Sequence, residues 1–297
     1  MYHNPVLLKE SVAGLNIIEN GIYIDVTFGG GGHSKEILNK LGSDGRLIAF
    51  DQDQDVLINK INDDRFLLIN KNFMYLKENL LSINIDKVDG VLADFGISSH
   101  QIDVPERGFS IRYDAELDMR MNQNSEIKAF DIINNYSFDQ LRKIFFVYGE
   151  LRMARLIARK IIESRLISEI KTTLELNKLL ITILPKKRIN KLLAQIYQAL
   201  RIEVNSEIEV IKSFLIQTKD ILRKKGRLSV ISYHSLEDRL VKRFIRSGLF
   251  QGDAKKDIYG NEKLPFKKIG KLIIPTDDEI VKNNRARSAK LRIAEKN

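Results

Sequence analysis

The chain has no cysteine, few histidines and no long apolar run, and each of these scarcities excludes a class of protein. The absence of cysteine from all 297 residues excludes disulfides, iron–sulfur clusters and thiolate zinc sites. The four histidines stand at positions 3, 33, 100 and 234, a spacing that matches no common metal-binding motif. We therefore expect a protein that holds no metal.

Long apolar segments are also missing from the sequence. No stretch approaches the roughly 18 consecutive apolar residues that a membrane-spanning helix needs. Residues 1–5 are not basic, and no long apolar run comes after them, which does not match a secretory signal. These features predict a cytoplasmic protein with no membrane partner.

The chain does contain a surplus of positive charge. Lysine and arginine number 49 against 39 aspartates and glutamates, which gives a net charge of +10 and a pI of about 9.5. Such a balance favours a polyanionic partner, because the cations neutralise phosphates. The alternative is that many of the lysines only solvate the surface. With 43% hydrophobic residues, the chain can also build a packed core.

The most informative stretch contains four consecutive glycines. Residues 23–28 mix β-branched and aromatic side chains as a short buried strand does, residues 29–32 form a glycine turn, and a helix is predicted over 34–41. A second strand is predicted over 47–50 and ends at Asp51. An acidic residue at that position can accept hydrogen bonds from ribose hydroxyls, so the stretch predicts a nucleoside site.

The identity of the nucleoside depends on the residues directly after the glycines. A dinucleotide-binding turn has the pattern G-x-G-x-x-G, but Ser34 and Lys35 stand where the third glycine would be. The phosphate-binding pattern that ends in Gly-Lys-Ser/Thr is also missing, because His33 comes next after Gly32. A glycine turn without phosphate features favours S-adenosylmethionine. The alternatives are a nicotinamide oxidoreductase and a glycine-rich loop in an unrelated doubly wound protein.

Strands and helices alternate up to residue 94, as in a parallel sheet covered by helices. In such sheets ligands bind beyond the carboxyl ends of the strands. Asp25, Asp51 and Asp94 lie within or directly after predicted strands, so we expect them to converge on one crevice. Phe73 comes after the third strand and is predicted to form an aromatic wall against an adenine ring; the alternative is that it only packs in the core. The other predicted elements here are helices over 54–61 and 72–83 and strands over 66–69 and 88–94.

The alternation then stops and resumes only in the last third of the chain. Residues 104–121 are loop-like, and apolar residues recur every three or four positions from 129 to about 205. We therefore predict an inserted α-helical domain over 104–205, within a sheet domain formed by 1–103 and 206–297. In the last part of the sheet domain we predict a helix over 207–222 that Gly226 closes, and a second helix over 236–247. Strands are predicted over 227–232, 268–274 and 289–294, and the last two of these form an antiparallel pair. A loop is predicted over 251–263.

Two groups of cations are candidates for contacts with nucleic acid. Residues 282–292 contain five cations and no anion. A second group interleaves cations with aromatic rings: Arg107, Phe109, Arg112 and Tyr113. Such mixtures suit single-stranded nucleic acid, because rings stack on bases while cations contact phosphates. Each patch alone is more typical of a solvated surface, but together with the net charge they favour a nucleic acid as partner.

Ten short segments, spread over nearly the whole chain, carry most of the acids, glycines and cations discussed above. These segments are 3–8, 25–33, 51–53, 94–101, 106–110, 117–121, 148–150, 198–205, 232–239 and 284–292. In this order they closely resemble the bacterial 16S ribosomal RNA cytosine-N4 methyltransferases, the RsmH or MraW family. Ten matches in one order are not expected by chance.

The resemblance implies an α/β fold with a Rossmann-like class I methyltransferase sheet, mostly parallel with antiparallel last strands, and an inserted α-helical domain that helps to hold the substrate. It implies S-adenosyl-L-methionine as cofactor and N4-methylation of a cytidine in the decoding region of 16S ribosomal RNA. The alternative is a non-catalytic RNA-binding ribosome-assembly factor that retains the fold. The cofactor-contacting positions of the family fall here on Gly31, Gly32, His33, Asp51, Phe73, Asp94 and Gln101.

Two positions depart from the family pattern. His100 stands where the family usually has proline. Ala194 and Gln195 stand where the family has a Thr-Arg pair. The loss of that arginine predicts a weaker RNA contact, and it leaves the cofactor crevice unaffected.

Methyl transfer to an exocyclic amine needs no covalent nucleophile, because the amine lone pair can attack the methyl group in line with the departing sulfur. Positioning is then most of the catalysis. We hypothesise that Asp94 accepts a hydrogen bond from the cytosine amine, while Ser98 or Ser99 holds the base edge. Tyr233 or Phe95 is the candidate for stacking on the base.

The remaining candidates concern the RNA. The substrate is predicted to be 16S ribosomal RNA or the small ribosomal subunit, and the sequence leaves open which of these is bound. It also leaves open whether the chain forms a homodimer. The predicted RNA-binding residues are Arg107, Phe109, Arg112, Tyr233, Arg285 and Arg287.

Overall fold

The computed structural model describes residues 5–252 and 264–297. His3, and most of the loop predicted over 251–263, lie outside the described residues. The chain divides into two compact units. The first, which we call the sheet unit, comprises the described residues up to Gly96 and those from Ile208 onward, and the second, the helical unit, comprises Ile97–Glu207. The sequence placed these boundaries at 104 and 205.

Seven strands form one sheet in the sheet unit. They are β1 (Ile22–Asp25), β2 (Arg46–Phe50), β3 (Phe66–Ile69), β4 (Val88–Asp94), β5 (Leu222–Ser232), β6 (Phe266–Ile273) and β7 (Lys290–Lys296). Their order is β3-β2-β1-β4-β5-β7-β6. The first five strands pair in parallel, whereas β7 pairs antiparallel with both β5 and β6. The predicted mostly parallel sheet with antiparallel last strands is confirmed.

The central strands are apolar on both faces, which is why they read as continuous apolar runs. Leu47, Val91 and Leu92 are fully buried, as expected where helices cover both sides of a parallel sheet. From β1 the chain moves outward through β2 to β3 and then returns to place β4 on the other side of β1. This reversal creates a crevice at the carboxyl ends of β1 and β4, the usual ligand position in such sheets.

The helices connect these strands and build the helical unit. Residues 54–59 form a 3₁₀ helix where the sequence predicted an α-helix over 54–61. In chain order the α-helices are α1 (Leu8–Gly14), α2 (Gly32–Leu38), α3 (Leu76–Ser82), α4 (Ser99–Asp103), α5 (Ala129–Asn135), α6 (Phe138–Val147), α7 (Ala154–Arg165), α8 (Thr173–Ile181), α9 (Ile189–Val204), α10 (Glu207–Ile221), α11 (Ser235–Ser247) and α12 (Asp277–Lys282).

The start of β5 differs from the sequence prediction. We predicted that Gly226 closes a helix, but β5 already begins at Leu222, and Gly226 lies inside the strand. Pairing with β4 begins opposite Val88 and shifts register before Gly90, and Lys225 adopts a left-handed φ of 67° at this irregularity. The gain from pairing with β4 therefore outweighs the local helix-ending signal.

The helical unit has its own core, formed mainly by α5 to α9. Leu141, Phe145 and Ile157 are fully buried on its inner faces. The side chains of Gln195 and Gln198 on α9 donate hydrogen bonds to the carbonyls of the turn at residues 148–149, at 3.0 and 2.9 Å. The departure at Gln195 thus supports a turn within this unit.

Among the described residues, no helix has the length and apolar character needed to cross a membrane.

Candidate cofactor and substrate site

The glycine turn connects β1 to α2 and requires glycine for different reasons at different positions. Gly29 and Gly31 have φ values of 49° and 76°, in the left-handed region that favours glycine. A Cβ atom on Gly32 would lie 2.1 Å from Cγ of Pro5, so only glycine lets α2 begin this close to the N-terminal segment. The turn therefore keeps one fixed shape at the carboxyl end of β1.

Asp51 comes directly after β2 and faces this turn. Its Oδ2 accepts a hydrogen bond from the Gly29 N–H at 2.9 Å, and its Oδ1 accepts one from the Asp53 N–H at 3.0 Å. Burial raises the pKa of Asp51 to about 6, although these two hydrogen bonds favour the ionised form. At neutral pH the carboxylate is ionised, and its oxygens retain the capacity to accept further hydrogen bonds from a ribose.

Asp25 lies below the crevice rather than in it. The residue is fully buried, and it accepts hydrogen bonds from Ser34 Oγ at 2.7 Å and from the Thr27 N–H at 3.1 Å. Burial raises its pKa. The Thr27 hydroxyl in turn accepts a hydrogen bond from the Asp94 N–H at 2.7 Å. Asp25 therefore fixes the strand ends and the glycine turn, while Asp51 and Asp94 remain partly accessible.

Asp94 is the last residue of β4, and its carboxylate lies close to the side chains of Tyr233 and His33. The hydroxyl of Tyr233 donates a hydrogen bond to its Oδ1 at 2.8 Å, and His33 Nδ1 lies 3.9 Å from its Oδ2. His33 is oriented by its other ring nitrogen, which donates to the carbonyl oxygen of Val6 at 3.2 Å. Burial raises the pKa of Asp94 to about 6, and the neighbouring His33 and Tyr233 oppose that rise. At pH 7 the group is mainly an ionised acceptor.

Tyr233 is held in place by residues that the sequence analysis did not single out. Glu237, fully buried in the first turn of α11, accepts hydrogen bonds from the Tyr233 N–H at 2.8 Å and the His234 N–H at 3.2 Å. A Cβ atom on Gly96 would lie 3.2 Å from the Tyr233 ring. Burial and the Asp94 carboxylate raise the pKa of Tyr233 well above its usual value, so its hydroxyl keeps its proton.

Sequence signals for these supporting residues were present. Thr27 and Glu237 both lie inside segments that resemble the family, but neither stood out as chemically active. A threonine two residues after a strand-end acid, and an acid at the third position of a helix, each predict a hydrogen bond to nearby backbone.

Three aromatic rings, those of Phe73, Phe95 and Phe214, pack against one another in the core of the sheet unit. Phe73 stacks on Phe95 with ring centres 6.1 Å apart, and it meets the ring of Phe214 edge-on at 5.5 Å. Phe73 is only partly buried, whereas Phe95 is buried. The predicted role of Phe73 as an aromatic wall is compatible with this position. The predicted alternative role of Phe95, stacking on the base, fits its position poorly, because the rings of Phe73 and Phe214 already cover the ring of Phe95.

The predicted catalytic serines and Gln101 belong to the helical unit. Ser98 caps α4: its Oγ accepts a hydrogen bond from the Gln101 N–H at 3.1 Å, and Gln101 Oε1 accepts one from the Ser98 N–H at 3.1 Å. Ser99 is the first residue of that helix. This reciprocal cap explains why both Ser98 and Gln101 are needed for the local fold. Their roles, and that of Ser99, in catalysis and cofactor binding stay predictions.

The predicted RNA contacts Arg107 and Phe109 need correction. Both side chains are buried, and Arg107 Nη2 donates hydrogen bonds to the carbonyl oxygens of Arg120 and Met121 at 2.9 and 3.1 Å. In this structure an RNA strand has no access to them, and they hold together the loop that precedes α5. Arg112, in contrast, is exposed and remains a candidate.

The basic segment 282–292 also divides into exposed and internal cations. Arg287, in a 3₁₀ helix spanning Asn284–Ser288, is exposed, and Arg285 is half-buried. Arg292 is not available as a free cation, because it forms an ion pair with Asp238 at 2.7 Å. The predicted RNA contacts of Arg285 and Arg287 stay predictions, and Arg287 is the better placed of the two.

Comparisons with known proteins show the family of the chain. The model of the MraW methylase family matches residues 1–297. A protein of Christiangramia forsetii named Ribosomal RNA small subunit methyltransferase H is 63% identical over 295 residues, which covers 99% of this chain and 98% of that protein. A protein of the same name from Flavobacterium johnsoniae is 61% identical, and the alignment covers 99% of this chain and 98% of that protein. One from Bacteroides fragilis is 49% identical, and the alignment covers 99% of this chain and 97% of that protein.

These matches confirm the predicted family, the methyltransferase fold and the enzyme class. Because the family model spans the chain and several relatives exceed half identity over almost their whole length, the assignment does not depend on any single motif. The chain belongs to the MraW methylase family.

Proposed function

We propose that this methyltransferase transfers a methyl group from S-adenosylmethionine to N4 of a cytidine in the decoding region of 16S ribosomal RNA. The observation that carries the proposal is the position of Asp94 at the end of β4, where Tyr233 donates a hydrogen bond to its carboxylate and His33 of the first turn of α2 lies 3.9 Å away. The names of the relatives, small-subunit ribosomal RNA methyltransferases, support the class of substrate. The proposed substrate places the reaction in the cytoplasm.

The sheet unit offers groups that fit the cofactor. A Cβ atom on Gly29 or Gly30 would meet no atom within 4 Å, so a ligand can lie against the backbone of the turn. Asp51 is proposed to accept hydrogen bonds from the ribose hydroxyls, and Phe73 is proposed to contact the adenine ring. The other proposed cofactor contacts are Gly31, Gly32 and His33 at the start of α2, Asp94 at the end of β4, and Gln101 on α4. When bound, S-adenosylmethionine supplies an electrophilic methyl group on a sulfonium.

Asp94 is proposed to orient the amine that accepts the methyl group. Its Oδ1 is engaged by Tyr233, whereas its Oδ2 can accept one N–H of the cytosine amine. That hydrogen bond turns the nitrogen lone pair towards the methyl carbon. Bound S-adenosylmethionine would supply the methyl group and leave as S-adenosylhomocysteine, while Asp94 holds the amine that accepts the methyl group. A carboxylate with a pKa of about 6 can then take the proton that the nitrogen loses and release it to water.

The helical unit is proposed to recognise the substrate. Its exposed cations include Arg112 in the loop before α5 and Arg155 and Arg159 on α7, which can contact phosphates. Ser98 and Ser99 remain the proposed contacts to the base edge. The predicted domain roles, with a cofactor-binding sheet domain and a recognition domain over 104–205, are therefore kept as part of this proposal.

The proposal is tested by transfer of a tritiated methyl group to small ribosomal subunits that lack the modification. Labelled nucleosides are separated after digestion, and naked 16S RNA is assayed in parallel to show which form is the substrate. We expect the label in N4-methylcytidine. Asp94→Asn should transfer little label, whereas Asp44→Asn, which changes an exposed aspartate before the start of β2, at the strand end away from the crevice, should match the wild type. Label in another nucleoside, or none at all, would refute the proposal.

A further inference from the structure

A groove lies at the outer edge of the sheet unit, between α11 and the edge strand β6. Its volume is about 560 Å³. No aspartate or glutamate is among its described lining residues, and six cations are. The lining is Lys242, Ile245, Arg246, Leu264, Phe266, Lys267, Lys268, Ile269, Lys271, Leu272, Arg292, Ile293 and Asn297.

Five of these cations have no partner within residues 5–252 and 264–297. Arg292 is paired with Asp238, but Lys242, Arg246, Lys267, Lys268 and Lys271 form no ion pair with any described residue, and all five are exposed. Five unpaired positive charges around one groove repel each other, and a polyanion would relieve this repulsion.

The positions of these cations are not explained by protection of the sheet edge alone. Lysines on an edge strand often prevent pairing with another chain, and this explanation suits the three lysines of β6. Lys242 and Arg246, however, lie four residues apart on α11 and therefore on one helix face, which borders the same groove. Edge protection requires no charges on a neighbouring helix, so a second explanation is needed.

The floor of the groove is apolar. The buried Ile245 of α11 and Phe266 of β6 lie in its lining, beside Leu264 and the exposed Leu272. An apolar floor between cationic walls suits a nucleic-acid strand, because bases and sugars contact the floor while phosphates contact the walls. A single small anion would not need such a floor.

The groove begins at the edge of the sheet that carries the crevice. Ser232, at the carboxyl end of β5, pairs with Lys290, and Ile273 of β6 pairs with Leu291. The Ile273 end of β6 thus lies at the carboxyl edge of the parallel strands, and the Phe266 end lies at the opposite edge. Eight strand residues span about 26 Å, enough for a segment of about four nucleotides.

We propose that this groove binds a single-stranded phosphodiester segment of the RNA substrate that flanks the target nucleotide. The five unpaired cations contact its phosphates, and the apolar floor contacts its sugars and bases. The inference rests on the proposed function for the identity of the RNA, but the groove's preference for a polyanion follows from its own charges.

Two groove variants test the proposal. One replaces Lys267, Lys268 and Lys271 with glutamine, and the other replaces Lys242 and Arg246 with glutamine, which leaves the edge strand unchanged. Binding of a fluorescein-labelled oligouridylate of about 12 nucleotides is measured by anisotropy as a function of salt. Each lost phosphate contact reduces the slope of log K against log salt by about 0.7. We expect reductions of about 2 for the first variant and about 1.4 for the second.

The matched control replaces Lys9, Arg46 and Lys224 with glutamine. These three exposed cations lie outside the lining of the groove and outside the proposed cofactor and substrate contacts, and their replacement removes the same charge as the strand variant. Unchanged slopes in both groove variants relative to this control would overturn the proposal. So would a wild-type dimer that only the strand variant dissociates, with RNA binding unaffected, because β6 would then be a surface for a second copy of the chain.

Methyl transfer to small subunits, measured on the same proteins, separates this proposal from the proposed function. A wild type that methylates cytidine while the groove variants bind RNA normally would refute the groove alone. A wild type that transfers no methyl group but binds RNA through the groove would refute the proposed function alone. We expect the KM for RNA to rise in both groove variants, by about tenfold or more at low salt.

Discussion

The two edges of the sheet unit that carry unusual charge differ in sign and in burial. At the carboxyl ends of β1, β2 and β4 the charged groups are acidic and enclosed, with the pKa values of Asp51 and Asp94 raised to about 6. At the outer edge, along β6 and α11, they are basic, exposed and unpaired within the described residues. Enclosure makes the first set sensitive to pH, and exposure makes the second set sensitive to salt.

Because of this difference, one sheet can carry catalytic residues at one edge and RNA-binding residues at another. A buried carboxylate is energetically costly to ionise, but its position is fixed by the hydrogen bonds that it accepts, as Asp94 is by Tyr233. An exposed lysine costs little to maintain and contacts a phosphate through a charge that salt can screen. Single substitutions in the two sets of residues should therefore have separable effects, on catalysis in one set and on RNA binding in the other.

The largest effect is expected for Asp94→Asn. Loss of the ionised acceptor should lower kcat for methyl transfer by at least about 100-fold, as removal of a preorganised polar group commonly does. Binding of S-adenosylhomocysteine, measured by calorimetry, should fall far less than kcat, because asparagine keeps a side-chain oxygen that can accept a hydrogen bond from the cofactor. Full activity at saturating cofactor would remove Asp94 from the mechanism.

The same variant should be more stable than the wild type at neutral pH. The pKa of Asp94 is raised from 3.8 to about 6 on folding, so the folded state binds more protons than the unfolded state between these values. Stability therefore falls as the pH rises through this window, by about 3 kcal/mol in total. Asparagine cannot ionise, so Asp94→Asn should melt a few degrees higher at pH 7. A lower melting temperature would show that the carboxylate stabilises the fold.

Asp51→Asn should have the next largest effect, on cofactor binding. A hydrogen bond to a charged group contributes about 1.5–3 kcal/mol, so the affinity for S-adenosylhomocysteine should fall by roughly 10- to 100-fold. The control is Asp64→Asn, which changes an exposed aspartate in the same part of the chain. If Asp51→Asn bound the ligand as tightly as this control does, Asp51 would not hold the ribose.

Arg107→Gln tests whether Arg107 stabilises the helical unit instead of contacting RNA. Because the guanidinium satisfies two buried carbonyl oxygens, its removal should lower the free energy of unfolding by about 2 kcal/mol in urea titrations. The salt dependence of RNA binding should stay at the wild-type slope. The exposed Arg112→Gln should show the reverse pattern, and a changed slope in Arg107→Gln without a loss of stability would restore Arg107 as an RNA contact.

Arg287→Gln should have the smallest effect. One lost phosphate contact lowers the slope of log K against log salt by about 0.7 and weakens RNA binding a few-fold. Arg46→Gln, at the start of β2, provides a control of equal charge. Indistinguishable slopes for the two variants would exclude Arg287 from the RNA interface.

The sequence was sufficient to predict the residues whose chemistry depends on strand ends. Asp51 and Asp94 lie where parallel strands finish, and that position follows from strand order alone. The glycine turn could be predicted equally well. Its left-handed φ values and the close approach of Pro5 require glycine at these positions, so four consecutive glycines indicate the turn directly. The antiparallel pairing of the last two strands was predicted from their residues, but their order in the sheet, with β7 between β5 and β6, was not.

Residues whose role depends on burial were predicted less well. The alternation of cations and rings around Arg107 and Phe109 resembles an exposed RNA-binding loop, but a packed loop that satisfies its own carbonyls has the same composition. Gly226 looked like a helix end because the pairing partner of the early part of β5, Val88, is 134 positions away in sequence. The groove cations were missed because they come from two separate elements, α11 and β6.

In the proposed mechanism, an ionised Asp94 orients the amine for methyl transfer. This role of Asp94 is tested most directly by the single-turnover rate between about pH 5 and 8, with cofactor and RNA saturating so that Asp51 and the groove do not contribute. We predict a rate that rises about tenfold per pH unit up to a midpoint near the Asp94 pKa of about 6 and then stays level. A rate independent of pH over this range, or the same midpoint in Asp94→Asn, would contradict the account.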